Sequence, residues 1–301
     1  MRVLVTGGAG YVGSVLVPML LDDGHFVRVI DPVRAGRPGL LSCCTHQRFD
    51  MVRRDMSDEG TLSVAMADVD AVVHLAAIVG QPACEREPAH AWATNVECTR
   101  LLLELRGNHQ RVVFASTGSV YGKVLDAVCT EQTELTPLTL YGRAKAAAEE
   151  LVLAAGNSVV YRYATAFGVS PSMRFDLLVN DFVHQAVHRG NLVVYQGQSR
   201  RTLVHVRDMA RSIVFALRNW DVVADDVYNV GNEALNLSKA DIVHAVRRRV
   251  NCYLHFADFA EDPDQRDYSV SYEKLRAKGF TADVDLESGL AELVSAASLV
   301  A

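Results

Sequence analysis

The stretch Thr6-Gly-Gly-Ala-Gly-Tyr-Val-Gly13 constrains this chain more than any other segment. It follows a short apolar run, Arg2–Thr6, and opens a longer helix-like stretch, Tyr11–Asp22. Gly7, Gly10 and Gly13 have the GxxGxxG spacing of a tight strand-to-helix turn. Glycines there let backbone approach a pyrophosphate, while the helix start offers unpaired N–H groups and a positive dipole end. An ordinary strand–helix turn can carry the same triplet, so a second feature must decide. Asp31 supplies it, closing the next apolar run, Phe26–Ile30, 18 residues after Gly13. An acid at that strand end accepts hydrogen bonds from the adenosine ribose. The same carboxylate repels the 2′-phosphate of NADP, so NAD is the expected cofactor; Arg34 and Arg37 are the residues that would favour NADP instead. Asp55 and Met56, after a third strand region, are candidates for the adenine edge, against the plainer reading of a polar turn.

The remainder of the first half repeats this unit. Strand-like runs recur at Ala71–Leu75, Val112–Ala115 and Val159–Tyr163, with helix-period segments at Ser57–Ala67, Ala89–Arg106 and Leu140–Ala155. Such alternation predicts an α/β fold, a doubly wound parallel sheet of the Rossmann type, with its ligand crevice at the strands' carboxyl ends. After about residue 165 the rhythm loosens. Helices are expected at Phe175–His188, Val206–Arg218 and Ser238–Val250, and strands at Leu192–Tyr195 and Val227–Val230. We therefore divide the chain into a dinucleotide-binding part, 1–165, and a smaller lobe over the cleft, 166–301. The two are expected to form one compact unit with some exchange of chain between them.

Composition narrows the partners. A net charge of −6 disfavours a broad basic surface for nucleic acid. The run Arg247–Arg249 reads as the cationic end of a helix. Six cysteines (43, 44, 84, 98, 129 and 252) form no CxxC pair and no ligand-like spacing with histidine, so reduced thiols and no metal site are expected. Val12–Leu21 is short and interrupted by Ser14 and Pro18. No membrane anchor or export signal is read, and a cytoplasmic protein is expected.

Tyr141 and Lys145 stand at i and i+4, so a helix puts them on one face. An adjacent ammonium stabilises phenolate, which makes Tyr141 a candidate general base for a sugar hydroxyl. Lys145 is also placed to hold the nicotinamide ribose. Ser116-Thr117-Gly118-Ser119 follows the Val112–Ala115 run at the crevice edge. A hydroxyl there can bond the same substrate oxygen; Thr117 is the first choice and Ser119 the second.

Taken together, Thr6–Gly13, Asp31, His74-Leu-Ala-Ala77, Asn95-Val-Glu-Cys98-Thr, Ser116–Gly122 and Tyr141-xxx-Lys145 resemble the extended short-chain dehydrogenase/reductase family. Within it the chain is similar to nucleotide-sugar epimerases and dehydratases. The resemblance implies a Thr117, Tyr141, Lys145 triad. It further implies cofactor contacts from Gly7, Gly10, Tyr11, Val12, Gly13, Asp31, Asp55, Met56, Leu75, Ala76, Ala77, Asn95 and Lys145. Asn95 is given a structural role as well, on a helix where Cys98 replaces the family's usual glycine. For a nucleotide-diphosphate sugar, the resemblance implies Ser119, Asn180, Arg201 and Arg266. Guanidinium forks match phosphate oxygens. His205 reads as a structural part of its strand. A homodimer through the helices near 89–106 and 140–155 is implied too.

Three reactions share this machinery: C4 epimerisation, reduction of a 4-keto sugar, and 4,6-dehydration. Dehydratases of this kind carry an Asp-Glu pair after the threonine, whereas this chain has Gly118-Ser119. An acid at residue 31, favouring NAD, suits a closed cycle, because biosynthetic reduction generally draws on NADPH. The expected activity is therefore C4 epimerisation, with 4-keto reduction as the alternative. Decarboxylation, dehydration and a non-catalytic dinucleotide sensor rank below them.

Overall fold

The computed structural model describes residues 1–33, 39–122, 124, 128–257 and 267–299. Its centre is a parallel sheet of seven strands: β1 (Arg2–Thr6), β2 (Phe26–Ile30), β3 (Phe49–Val52), β4 (Ala71–His74), β5 (Arg111–Thr117), β6 (Ser158–Tyr163) and β7 (Asp226–Val230). Their spatial order is β7-β6-β5-β4-β1-β2-β3. The order reverses between β1 and β4, which creates the crevice where a doubly wound sheet takes its ligand. β3 is the third strand region whose bounds the sequence did not mark. Its four residues, Phe-Asp-Met-Val, are too short and too mixed for a clear apolar run.

Both faces of the sheet are covered, and residues alternate between them. From β1, Val3 and Val5 enter one core with Val27, Val29, Val73 and Tyr161. Leu4 enters the opposite core with Val72, Val112, Phe114 and Val160. Helices α1 (Gly13–Asp22), α2 (Glu59–Met66), α3 (Cys98–Leu105) and α4 (Leu140–Ala155) fill the first half. The single helix expected over 89–106 is a run of three pieces. Pro88–Trp92 leads into a widened π turn, Ala93–Glu97, which passes directly into α3.

Beyond residue 165, α5 (Leu178–Arg189), α6 (Val206–Arg218), α7 (Lys239–Arg249) and α8 (Leu286–Ala297) follow. Ser238 caps α7, accepting from Asp241 N–H while the Asp241 carboxylate accepts from Ser238 N–H. α5, α7 and α8 build a separate core around Val183, Leu192, Ile242, Val246 and Leu290. The chain between 206 and 230 does otherwise. α6 packs against α1, with Met209, Ile213 and Leu217 in the β1–α1 core, and β7 pairs with β6 from Asp226↔Val159 to Val230↔Tyr163. The segment 206–230 thus completes the sheet of the first part. Among the described residues no helix is long and apolar enough to cross a membrane, and no cluster of metal-ligating side chains is present.

Candidate active site

The glycine turn lies at the sheet's switch point. Gly7 has φ +69, and a Cβ there would stand 2.8 Å from both Cα and N of Ala76, just past β4. A Cβ on Gly13 would meet Gly8 at 2.5 Å, so this glycine lets α1 start against the turn. Gly10 differs, because a Cβ there would meet only the Gly7 carbonyl, at 3.1 Å. Its outer side is open to an approaching anion. No side chain caps α1 at Val12, leaving the helix dipole available to that anion.

Asp31 closes the loop beside β2. Its Oδ2 accepts from Ala9 N–H at 3.1 Å and its Oδ1 from Val33 N–H at 2.8 Å. Each carboxylate oxygen retains a lone pair for a ribose hydroxyl. Leu75 and Ala76 are tied to β1, Leu75 N–H donating to the Thr6 carbonyl at 3.1 Å and Ala76 N–H to the Thr6 hydroxyl at 3.2 Å. Leu75, Ala76 and Ala77 are all half-buried beside the glycine turn. Asp55 is exposed and accepts from Ser57 N–H at 2.9 Å, while the Met56 side chain belongs to the core with Leu62 and Met66. Asn95 is 2 % exposed, and its amide grips the backbone of Ile78 from both sides, accepting at 2.8 Å and donating at 2.9 Å. The π turn is what aims it there, so Asn95 shapes the loop after β4. Arg34, Arg37 and Arg266 lie outside the described residues.

β5 ends at Thr117 and α4 begins beside it. Thr117 Oγ1 accepts from Ser119 N–H and donates to Ser119 Oγ, both at 3.2 Å. Thr139 caps α4 by accepting from Gly142 N–H at 3.0 Å. At Gly142 a Cβ would stand 2.8 Å from the Ser119 carbonyl. Glycine there allows the first turn of α4 to touch the Thr117–Ser119 turn; Tyr141, in that same helical turn, is half-buried. Lys145 follows one turn later, 3 % exposed, its Nζ 4.0 Å from the centre of the Phe114 ring. Burial pushes its pKa down to about 7, and the Glu149 carboxylate acts in the other direction.

The segment 168–176 folds over the glycine turn. Tyr11 donates to the Gly168 carbonyl at 2.6 Å, and Ser172 donates to the Ala9 carbonyl at 2.5 Å. Asn180, 1 % exposed, accepts from Gly168 N–H at 3.0 Å and donates to Tyr11 Oη at 3.2 Å and the Arg174 carbonyl at 2.9 Å. Both amide hydrogens of Asn180 are thus committed to the protein, and a phosphate contact from it requires one of these bonds to open. Arg201 is 4 % exposed in the strand Arg200–His205, its Nη1 donating to the Arg200 carbonyl at 2.9 Å. Arg200 N–H donates to Asp267 at 2.9 Å, and the next residue, Tyr268, donates to the Gly118 carbonyl. That chain of contacts links the Arg201 strand to the Thr117 turn. His205 caps α6 by accepting from Arg207 N–H at 3.2 Å and pairs with Glu292, a structural role.

Arg174 and the buried pair Glu149–Arg162 escaped the sequence reading. Arg174 is bonded through two nitrogens to Asp176; burial opposes its charge, but Asp176 and, more weakly, Tyr141 and Tyr11 hold its pKa above the ordinary value. Its position near Tyr141 arises from a contact between distant segments, for which sequence offers no signal. Glu149 left a trace: it lies among Lys145, Ala148 and Val152, which line the buried face of α4.

This arrangement defines a doubly wound α/β protein with a glycine turn at its switch point and with Thr117, Tyr141 and Lys145 on the elements that meet where β5 ends and α4 begins. A family model described as the NAD dependent epimerase/dehydratase family matches residues 3–231. The chain belongs to that family, among the extended short-chain dehydrogenases/reductases, whose cofactor is NAD. The low-salt glycan biosynthesis protein Agl12 of Haloferax volcanii is 31% identical, over 96% of each chain. A dTDP-glucose 4,6-dehydratase of Actinoplanes sp. is 30% identical, over 98% of this chain and 97% of its own. The solved UDP-glucuronic acid 4-epimerase of Bacillus cereus, in complex with UDP-glucuronic acid and NAD, superposes with a TM-score of 0.89 at 25% identity over the full length of both. The UDP-glucose 4-epimerase of Thermus thermophilus, a complex with NAD, gives 0.87 at 25% identity, also over both full lengths.

Proposed function

We propose that this protein is an NAD-dependent epimerase acting at C4 of a nucleotide sugar through a transient 4-keto sugar. What supports this reading is the junction of β5 and α4, where the first turn of the helix that carries Tyr141 and Lys145 meets the turn of Thr117 and Ser119. The residues after Thr117 bear no carboxylate, which separates the site from the acid–base pair that a dehydratase of this family uses. Bound NAD supplies the acceptor and donor of hydride. The open side of Gly10 and the start of α1 would take its pyrophosphate, and the free lone pairs of Asp31 its ribose.

Tyr141 removes the proton from the sugar 4-hydroxyl and later returns it to the same oxygen. Thr117 holds that oxygen by a hydrogen bond, with Ser119 beside it. Lys145 stabilises the phenolate and the nicotinamide ribose. Arg201 binds the sugar's diphosphate, and the same role is proposed for Arg266. The segment 168–176 and the clamp at Asn180 shape the wall of the cleft next to the cofactor turn.

Stoichiometry tests the reading. UDP-glucose and UDP-glucuronic acid, each carrying deuterium at C4, are incubated with catalytic NAD. The expected outcome is a 4-epimer that keeps its label, with no net change in nicotinamide absorbance. Net oxidation of NADH or NADPH by a 4-keto sugar, with no epimer from any hydroxylated one, would establish the reductase instead.

A further inference from the structure

Glu149 lies one helical turn after Lys145 on α4 and is 2 % exposed. Its Oε2 accepts from Ser116 Oγ at 2.6 Å, and its Oε1 accepts from Arg162 Nε at 3.0 Å and Nη2 at 2.5 Å. Arg162, on β6 and 5 % exposed, also donates to Tyr121 Oη and to the Glu131 carbonyl, each at 3.1 Å. Tyr121 in turn donates to Asn229 on β7 at 2.6 Å. One carboxylate therefore fastens α4 to β6 and to the residue that precedes Thr117.

Well-packed apolar side chains hold such elements together at a lower desolvation cost than a buried ion pair. What they do not provide is negative charge beside a second buried cation. Lys145 is that cation, stripped of water above the Phe114 ring. The titratable groups around it are few. Glu149 shares its helix, Tyr141 precedes it by a turn, and His74 faces it from β4 as a neutral imidazole. Arg162 on β6 and Tyr121 after β5 reach it through Glu149.

We propose that Glu149 is a positioning residue that keeps Lys145 charged and seated on α4, with Arg162 and Ser116 fixing where its carboxylate stands. Its purpose rests on the reading of Tyr141 and Lys145 given above, but the electrostatic claim can be measured without substrate. The chain has only five lysines, so lysine labelled with ¹³C at Cε gives a tractable NMR titration, assigned with Lys145→Met. Glu149→Gln keeps the shape and removes the charge. It is expected to lower the Lys145 midpoint by about one unit or more, the scale on which an adjacent opposite charge acts. Glu149→Asp, with the carboxylate drawn back, is expected to give a smaller drop.

A Glu149→Gln protein that is folded, less stable and unmoved in its Lys145 midpoint would reduce Glu149 to packing and overturn the proposal. Should that variant not fold, Glu149→Asp and Ser116→Ala carry the test, because both loosen the carboxylate's seat. Midpoints equal to the wild type in both would overturn it equally. The underlying functional reading fails differently: a Tyr141→Phe enzyme with normal turnover would sink the general base while leaving the Lys145 titration as it was.

Discussion

Tyr141 gathers the largest share of the chemistry proposed here. Its helix starts at the Thr139 cap, Gly142 lets that start press on the Thr117 turn, and Lys145 follows on the same face. Replacing Tyr141 with Phe keeps the ring and deletes the oxygen proposed to move the proton. General acid–base groups contribute about 10²–10⁴-fold in rate, so a loss of that size is expected in turnover. NAD affinity, measured by calorimetry, is expected to stay near wild type because the glycine turn and Asp31 are untouched. Near-normal turnover in the variant would show that another group carries the proton.

Ties between elements explain why buried polar side chains surround the crevice. His74 joins three of them, facing Thr6 Oγ1 on β1 at 2.7 Å and Thr99 Oγ1 on α3 at 3.0 Å. Thr99 already donates to the Asn95 carbonyl at 2.9 Å, so it accepts from His74 Nε2–H, and Nδ1 is left to accept from Thr6. This assignment requires a neutral ring. Burial, reinforced by the charge of Lys145, pushes the His74 pKa from 6.5 down to about 3. The unfolded chain therefore binds a proton between those values that the folded chain refuses. The stabilisation is full above about pH 6.5 and is lost progressively as pH falls towards 3, at about 1.4 kcal/mol per unit. Urea unfolding at pH 7 and at pH 4.5 is expected to show a larger acid loss in wild type than in His74→Gln. Parallel losses would place the acid sensitivity elsewhere.

At the scale of the whole molecule, the sheet and its covering helices draw on both ends of the chain. β7 completes the edge beside β6, α6 covers α1, and Tyr268, Val270, Tyr272 and Phe280 enter the same core as Val3 and Val5. A fragment of residues 1–165 lacks all of these and exposes Tyr161 and Tyr163, which are buried in the full chain. It is expected to lack a cooperative unfolding transition and the slow-exchanging amides in β5 and β6 that the full chain is expected to show. Protected amides in the isolated fragment would show that the first 165 residues fold alone.

The repeating strand–helix unit and the candidate site are both legible along the chain. Glycine spacing, Asp31, the Thr117 turn and the Tyr141–Lys145 pair are short-range patterns, and so are strands long and apolar enough to recognise. β3 escaped bounds because Asp50 interrupts its four residues, and the π turn at Asn95 because apolar periodicity hides one extra residue in a helical turn. What distant segments do together emerges only once the chain is folded. The family resemblance implies a phosphate contact from Asn180, and the fold adds what no resemblance gives: its amide hydrogens are held by Tyr11, 169 residues away, and by the Arg174 carbonyl. Arg174 beside Tyr141, the Glu149–Arg162 pair beneath Lys145, and the return of 206–230 to the first sheet have the same origin. Buried polar groups must find partners wherever the chain brings them, and no local pattern encodes which partners those will be.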